Sequence, residues 1–302
     1  MISVDPKSIL VAGGHDGDSS LNSFEILYSN ESSSLTEMKL AELPYGISAQ
    51  PSLFLHDDKI LLCGGENNEK KCLMHDSDSW KEHSTLNHER YFASAVTTAN
   101  GTFIFGGDDS KETFEFLQSK NPEVWRNGRS KIPDGFTTGC AVEVPEKQGI
   151  LLIGGEGTNT RILNFDIKTQ TFAAMNVSLL KERYWHTCGR LPDTNLIVIT
   201  GGSDSNRYHD STEFLNLDDN TIMLGNAMNT KRWGHGMTVI TNEKENQLAV
   251  FGGNDENGHE LDSVETLNPR TRKWEIVNDL KLKETKSEFG YISLHDDFIA
   301  NL

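Results

Sequence analysis

Apolar residues in this chain come in short bursts that stop at a pair of glycines. The bursts are "ILVAGGHDG" (9–17), "ILLCGGENN" (60–68), "FIFGGDDS" (103–110), "LLIGGEGT" (151–158), "VITGGSDS" (198–205) and "LAVFGGND" (248–255). Each has the length of a strand buried on both faces, and each turns polar after the glycines. The pairs begin at Gly13, Gly64, Gly106, Gly154, Gly201 and Gly252, so the steps are 51, 42, 48, 47 and 51 residues. A fixed period of this size marks a repeat architecture.

Other positions keep the same period. About ten residues after most pairs comes an alternating apolar–polar segment: Ser23–Leu27, Thr113–Leu117, Thr212–Leu215 and Ser263–Leu267. A bulky apolar residue follows, at Trp80, Trp125, Phe172, Met223 and Trp274. A loop then leads to an aromatic residue that opens the next unit: Tyr45, Tyr91, Phe136, Tyr184, Trp233 and Phe289. Behind these lie further alternating stretches, such as "FTTGCAVEV" and "HGMTVITN". Each period therefore predicts four short strands: A after the opening aromatic, B ending in the glycine pair, C the alternating segment, and D carrying the tryptophan. Short connections make them antiparallel. No stretch sustains a helical period. Six four-stranded antiparallel units predict an all-β, six-bladed β-propeller filling residues 1–302 as one domain, with blades starting near 1, 45, 91, 136, 184 and 233.

The combination of a strand, Gly-Gly, a Ser-x-Glu-x-Leu segment, a tryptophan and an Arg-x-x-His opening resembles the kelch repeat, over essentially the whole chain. Arg183-Tyr184-Trp185-His186 and Arg232-Trp233-Gly234-His235 match that opening closely and Arg90-Tyr91 in part; the first, third and last units lack the arginine. The resemblance implies that Trp80, Trp125 and Trp274 pack between blades. The glycine pairs then read as structural, since glycine tolerates backbone angles closed to other residues. No phosphate-binding Gly-x-Gly-x-x-Gly or Walker motif accompanies them.

The ends bear on closure. Leu-His-Asp-Asp occurs at 55–58 and again at 294–297, 239 residues apart and close to five periods. The C-terminal stretch 289–302 therefore reads as another A–B pair, and Phe289–His295 is expected to complete the first blade. The alternative is a truncated seventh blade, which a spare B strand at Phe298–Leu302 would begin.

The net charge of −17 disfavours nucleic acid and anionic membranes as partners. No apolar run approaches the length of a membrane helix, and the N-terminus shows no secretory pattern. The four cysteines, Cys63, Cys72, Cys140 and Cys188, have no CxxC spacing. Cys63 and Cys72 flank one glycine turn and could face each other, but reduced thiols in a cytoplasmic protein are the favoured reading. Cys140 and Cys188, at equivalent positions of adjacent blades, read as small buried side chains. Sequons at Asn30, Asn100 and Asn176 hold open a secreted alternative.

For function, the resemblance implies that the B–C and D–A loops share one face, which in kelch substrate adaptors binds partner peptides. A protein–protein interaction module is the expectation, with no cofactor, no metal and a monomeric domain. Candidate partner contacts are Arg90, Arg183 and Arg232, whose planar fork suits carboxylates and carbonyls, with Tyr91, Tyr184 and Trp233 beside them and Arg207 and Tyr208 in the "SDSNRYHDS" loop. An intramolecular role for the arginines, pairing with Glu25, Glu115, Glu213 or Glu265, is the competing reading. The remaining B–C loops, "HDGDSS", "DDSKE" and "NDENGHE", are acidic without a calcium-loop pattern. The alternative function is a metal- or sugar-dependent enzyme in the central channel, where His186 and His235 would be candidate ligands, although the repeat pattern itself places histidine there.

Overall fold

A computed structural model describes residues 8–28, 41–56, 59–76, 79–118, 121–157, 159–241 and 245–294. The first blade contains β1 (Ser8–Ala12) and β2 (Phe24–Tyr28); the second β3 (Ser52–His56), β4 (Lys59–Cys63), β5 (Lys71–Asp76) and β6 (Ser79–Thr85). The third holds β7 (Ser94–Thr98), β8 (Gly101–Phe105), β9 (Phe114–Gln118) and β10 (Asn121–Asn127); the fourth β11 (Cys140–Val144), β12 (Gly149–Ile153), β13 (Ile162–Asp166) and β14 (Thr171–Ala174). The fifth holds β15 (Thr187–Arg190), β16 (Leu196–Thr200), β17 (Thr212–Asn216) and β18 (Thr221–Leu224); the sixth β19 (Gly236–Thr241), β20 (Asn246–Phe251), β21 (Ser263–Leu267) and β22 (Trp274–Lys281). All pairings are antiparallel between chain neighbours, save one. The last strand, β23 (Gly290–Leu294), pairs with β1, Ser8 opposite Leu294 and Ala12 opposite Gly290. The C-terminal strand therefore closes a six-bladed propeller. The expected spare strand at Phe298–Leu302 lies outside the described residues.

The B strands are apolar on both faces because each sits between two neighbouring blades. All five residues of β1, β8, β12 and β16 are buried. Side chains alternate along a strand, so Leu10 and Ala12 pack toward the second blade while Ile9 and Val11 pack toward the sixth. Six apolar clusters result, one at each blade–blade interface. Each fully buried aliphatic or phenylalanine contributes about 1.5–3 kcal/mol. The tryptophans lie where the resemblance put them. Trp80 packs edge-on against Phe24 of the first blade at 5.1 Å, and Trp125 against Phe54 of the second at 6.0 Å. The Trp274 indole N–H donates to Thr212 Oγ1 of the fifth blade at 3.0 Å.

The glycine pairs have a specific task. Every one of the twelve glycines has a positive φ, between 61° and 106°. The second glycine of each pair donates its amide to a carbonyl of the next blade: Gly14 to Ile47, Gly65 to Arg90, Gly107 to Phe136, Gly155 to Arg183, Gly202 to Arg232 and Gly253 to Lys286. A Cβ on the first glycine would strike those same carbonyls. The pair is thus the hinge at which one blade's backbone is bonded to the next, and any side chain there would hold the two apart.

These bonds also realign the repeats. Tyr91, Tyr184 and Trp233 are equivalent, but Phe136 occupies the arginine position, Phe289 the histidine position, and Tyr45 lies two residues upstream of the arginine position at Ile47. The six opening aromatics do not form one structural set, because any large ring can fill a gap between blades.

The cysteine expectation needs correction. Cys63 and Cys72 are directly opposed on β4 and β5 and form a disulfide, with Cα atoms 4.1 Å apart. A second disulfide joins Cys140 on β11 to Cys188 on β15, across the inner strands of the fourth and fifth blades. Positions one period apart become neighbours when blades pack side by side, so equivalent cysteines meet. No helix among the described residues is long and apolar enough to cross a membrane.

Candidate functional site

Arg183 and Arg232 are wholly buried and Arg90 is 1 % exposed. The Arg183 Nε and Nη2 donate to Glu213 Oε1 at 3.1 and 3.0 Å, its Nη1 to the Gly201 and Ser211 carbonyls, and Nη2 again to Ser211 Oγ. Arg90 binds Glu115, Gly106 and Thr113 in the same way, and Arg232 binds Glu265, Gly252 and Ser263. The carboxylates are completed from the D–A loops: the Leu180 and Lys181 amides donate to Glu213, the Asn87 and His88 amides to Glu115, and the Asn229 and Thr230 amides to Glu265. Burial lowers the pKa of all three guanidinium groups and the paired glutamates oppose that shift. These arginines are spoken for inside the blade. The expectation that they meet a partner at the surface is corrected, because side chains buried this deeply and bonded to carboxylate and carbonyl oxygens inside the blade do not reach the surface. Lys286 occupies the same place in the closing unit, with Nζ 2.6 Å from Glu25 Oε1.

His186 and His235 are buried at 3 % exposure, each with its ring over the first glycine of the preceding blade, Gly154 or Gly201. Burial, and then the Arg183 charge, push the His186 pKa down to about 3; burial and Arg232 hold His235 well below its ordinary value. Both imidazoles are therefore neutral packing groups at physiological pH. Both border a small 150 Å³ space in the central channel, together with Thr187, Tyr291 and Cys140. Among the described residues, no three His, Cys, Asp or Glu side chains are grouped to hold a metal ion.

The residues after the arginine position build the rim of the channel. Two places on, the backbone turns left-handed in every unit: Ala49, Phe92, Thr138, Trp185, Gly234 and Glu288 have φ between 52° and 62°. Their peptide groups join hands around the axis. Phe92 N–H donates to Ala49 O, Thr138 to Phe92, Trp185 to Thr138, Gly234 to Trp185 and Glu288 to Gly234, and Gln50 N–H closes the circle on Glu288 O, all at 2.7–3.0 Å. Left-handed backbone costs a non-glycine residue about 1 kcal/mol, and this closed set of bonds holds it.

Above the rim lies a cavity of about 890 Å³. Its wall carries the carboxylates of Glu66, Glu69, Glu89, Asp109, Glu260 and Glu288, with His15 and, among the described residues, no lysine or arginine. Glu66 accepts from Ser48 Oγ, Asp109 accepts from the Tyr91 hydroxyl, and His15 is 4.0 Å from Glu260. Burial, then Glu66 and Glu260, push the Glu288 pKa up to about 7. Burial and then Asp109 raise that of Tyr91. Tyr91, Phe92 and Trp233 supply ring surface, and Tyr208 stacks on Trp233 at 5.9 Å. Of the eight candidate contacts, Tyr91 and Trp233 line the cavity and Tyr208 backs Trp233. Tyr184 is half-buried, its hydroxyl donating to Asp204 O at 2.9 Å, while Arg207 is exposed on the adjoining B–C loop. The sequence reading missed Glu66, Glu260 and Glu288 as site residues; the acidic B–C loops were the available signal.

Six antiparallel units, five of four strands and one in which three strands are described, sealed by the C-terminal strand and joined at glycine pairs, define a β-propeller of the repeat class. A family model for the kelch motif matches residues 245–281. A RING finger domain and kelch repeat-containing protein of Dictyostelium discoideum is 23 % identical over 217 residues, 71 % of this chain and 21 % of that protein. A kelch repeat-containing protein of the same organism is 28 % identical over 158 residues, 50 % of this chain and 23 % of that protein. These matches agree with the fold: the chain is similar to kelch-repeat proteins, and its six blades have the propeller architecture that the repeat implies. It spans about a fifth of the length of the curated relatives it matches.

Proposed function

We propose that this propeller is a protein-interaction module whose partner docks on the face formed by the B–C and D–A loops. The observation that carries this reading is the open 890 Å³ cavity there, walled by loops from several blades and bordered by the Tyr208–Trp233 stack. A rigid scaffold carrying variable loops is the usual way to build a binding surface, and kelch propellers are commonly interaction modules. Recognition by such a face needs no chemistry and no cofactor. The two disulfides and the exposed sequon asparagines Asn100 and Asn176 favour an oxidising compartment over the cytoplasm for this activity.

The test places a photo-crosslinking residue at Tyr208, and in a second variant at Asn220, in the β17–β18 turn at the opposite end of a blade. Irradiation in source extract should yield a covalent protein adduct from position 208 and not from 220. Equal adducts at both positions, or none at 208, would sink the reading.

A further inference from the structure

The mouth cavity holds six carboxylates, and among the described residues no lysine or arginine lines it. Elsewhere the chain balances its charges locally: Lys231 meets Glu256, Arg190 meets Glu146 and Arg161 meets Asp134. At the mouth the carboxylates have hydroxyl, imidazole or no side-chain partners among the described residues. Two further polar side chains there are also unpaired. Asn254 is 3 % exposed and Ser287 is 2 % exposed, both line the cavity, and neither the Asn254 amide nor the Ser287 hydroxyl makes a side-chain hydrogen bond among the described residues. Buried polar groups ordinarily find partners, so both are ready to bond an entering group. The ring faces of Tyr91 and Trp233 add a surface on which a cation is favoured.

Resting on the interaction reading above, we propose that the cavity is a receptor for a cationic side chain, an arginine or lysine carried on a basic segment of a partner protein. Carboxylates of Glu66, Glu260 and Glu288 supply the counter-charge. The Asn254 carboxamide oxygen and the Ser287 hydroxyl accept from its N–H groups. Tyr91 and Trp233 flank its apolar stem. Attraction over the whole −17 chain speeds the encounter.

A phage-displayed library of random peptides is selected against three folded proteins: wild type; the triple variant Glu66→Gln, Glu260→Gln, Glu288→Gln; and a control, Asp193→Asn, Asp218→Asn, Asp219→Asn, which removes equal charge at the opposite face. Cooperative melting at or above the wild-type temperature verifies folding, and Glu288→Gln alone is the substitute should the triple variant fail to fold. The expected result is enrichment of arginine- or lysine-bearing peptides by wild type, with synthetic copies bound about tenfold more weakly, or worse, by the mouth variant and normally by the control. Equal loss in both variants would show attraction to bulk charge alone and overturn the proposal. Neutral or acidic binders lost with Trp233→Ala would overturn the cationic occupant while leaving the interaction reading intact. No enriched peptide would count against both.

Discussion

The fifth blade and the fourth solve the same packing problem with opposite chemistry. In the fifth, Arg183 reaches inward and meets Glu213 on the C strand. In the fourth, Phe136 stands in the arginine's place and Leu163 in the glutamate's, and both belong to one apolar cluster. The second blade makes the same exchange with Ile47 and Leu73. The two positions change together: cation with carboxylate in four blades, hydrocarbon with hydrocarbon in two. The lesson is that this slot demands a matched pair rather than a particular residue. A buried ion pair is not superior to a well-packed apolar pair, but half of one is ruinous. Each blade without the ion pair has a disulfide: Cys63–Cys72 lies within the second, and Cys140 ties the fourth to Cys188 of the fifth.

The largest effect should come from splitting a pair. Arg183→Ala leaves Glu213 buried and unpaired, and should cost about 3–5 kcal/mol in urea denaturation. The double variant Arg183→Phe with Glu213→Leu, which copies the fourth blade, should recover most of that loss. If the double variant were no better than the single one, the equivalence of the two chemistries would fail.

The next effect concerns the covalent ties. The Cys140–Cys188 bridge spans 48 residues and the Cys63–Cys72 bridge 9. By loop entropy, replacing the first pair with serine should cost about 4 kcal/mol and the second about 2.7 kcal/mol. Chemical denaturation of each variant measures the difference, and the reverse order would mean that strain or local packing outweighs loop length.

The smallest effect lies at the rim. The Glu288 pKa is about 7 in the folded chain against an ordinary 4.5. The folded state therefore holds the proton more tightly than the unfolded state. Stability falls as pH rises from 4.5 to 7 and is flat above. Glu288→Gln removes that dependence, so it should match wild type below pH 4.5 and exceed it by up to roughly 3 kcal/mol above pH 7. Melting curves across that window decide the sign; a variant less stable than wild type above pH 7 would refute it.

Much of this was legible in the sequence for definite reasons. The glycine pairs, the two-sided apolar B strands and the repeated Leu-His-Asp-Asp each answer to a local rule, so the six blades and the closing strand followed. The direction of Arg90, Arg183 and Arg232 did not follow, because an arginine at a loop reads the same whether it points out or in. Its partner glutamate, 25 to 33 residues on, was visible only as a competing reading. The mouth cavity was harder still. His15, Glu66, Asp109, Asn254 and Glu288 come from the first, second, third and sixth blades and converge only when the ring shuts.

The circle of backbone hydrogen bonds from Ala49 through Phe92, Thr138, Trp185 and Gly234 to Glu288 and back to Gln50 acts as a hoop on a barrel. A stack of repeats frays from its ends, since each end unit has one neighbour. A hooped set has no end unit, and the first and last repeats of the sequence are neighbours like any other two. Loosening one stave strains the rest, so the blades should open together. The chain's actual starting point becomes an accident of the thread rather than a feature of the vessel.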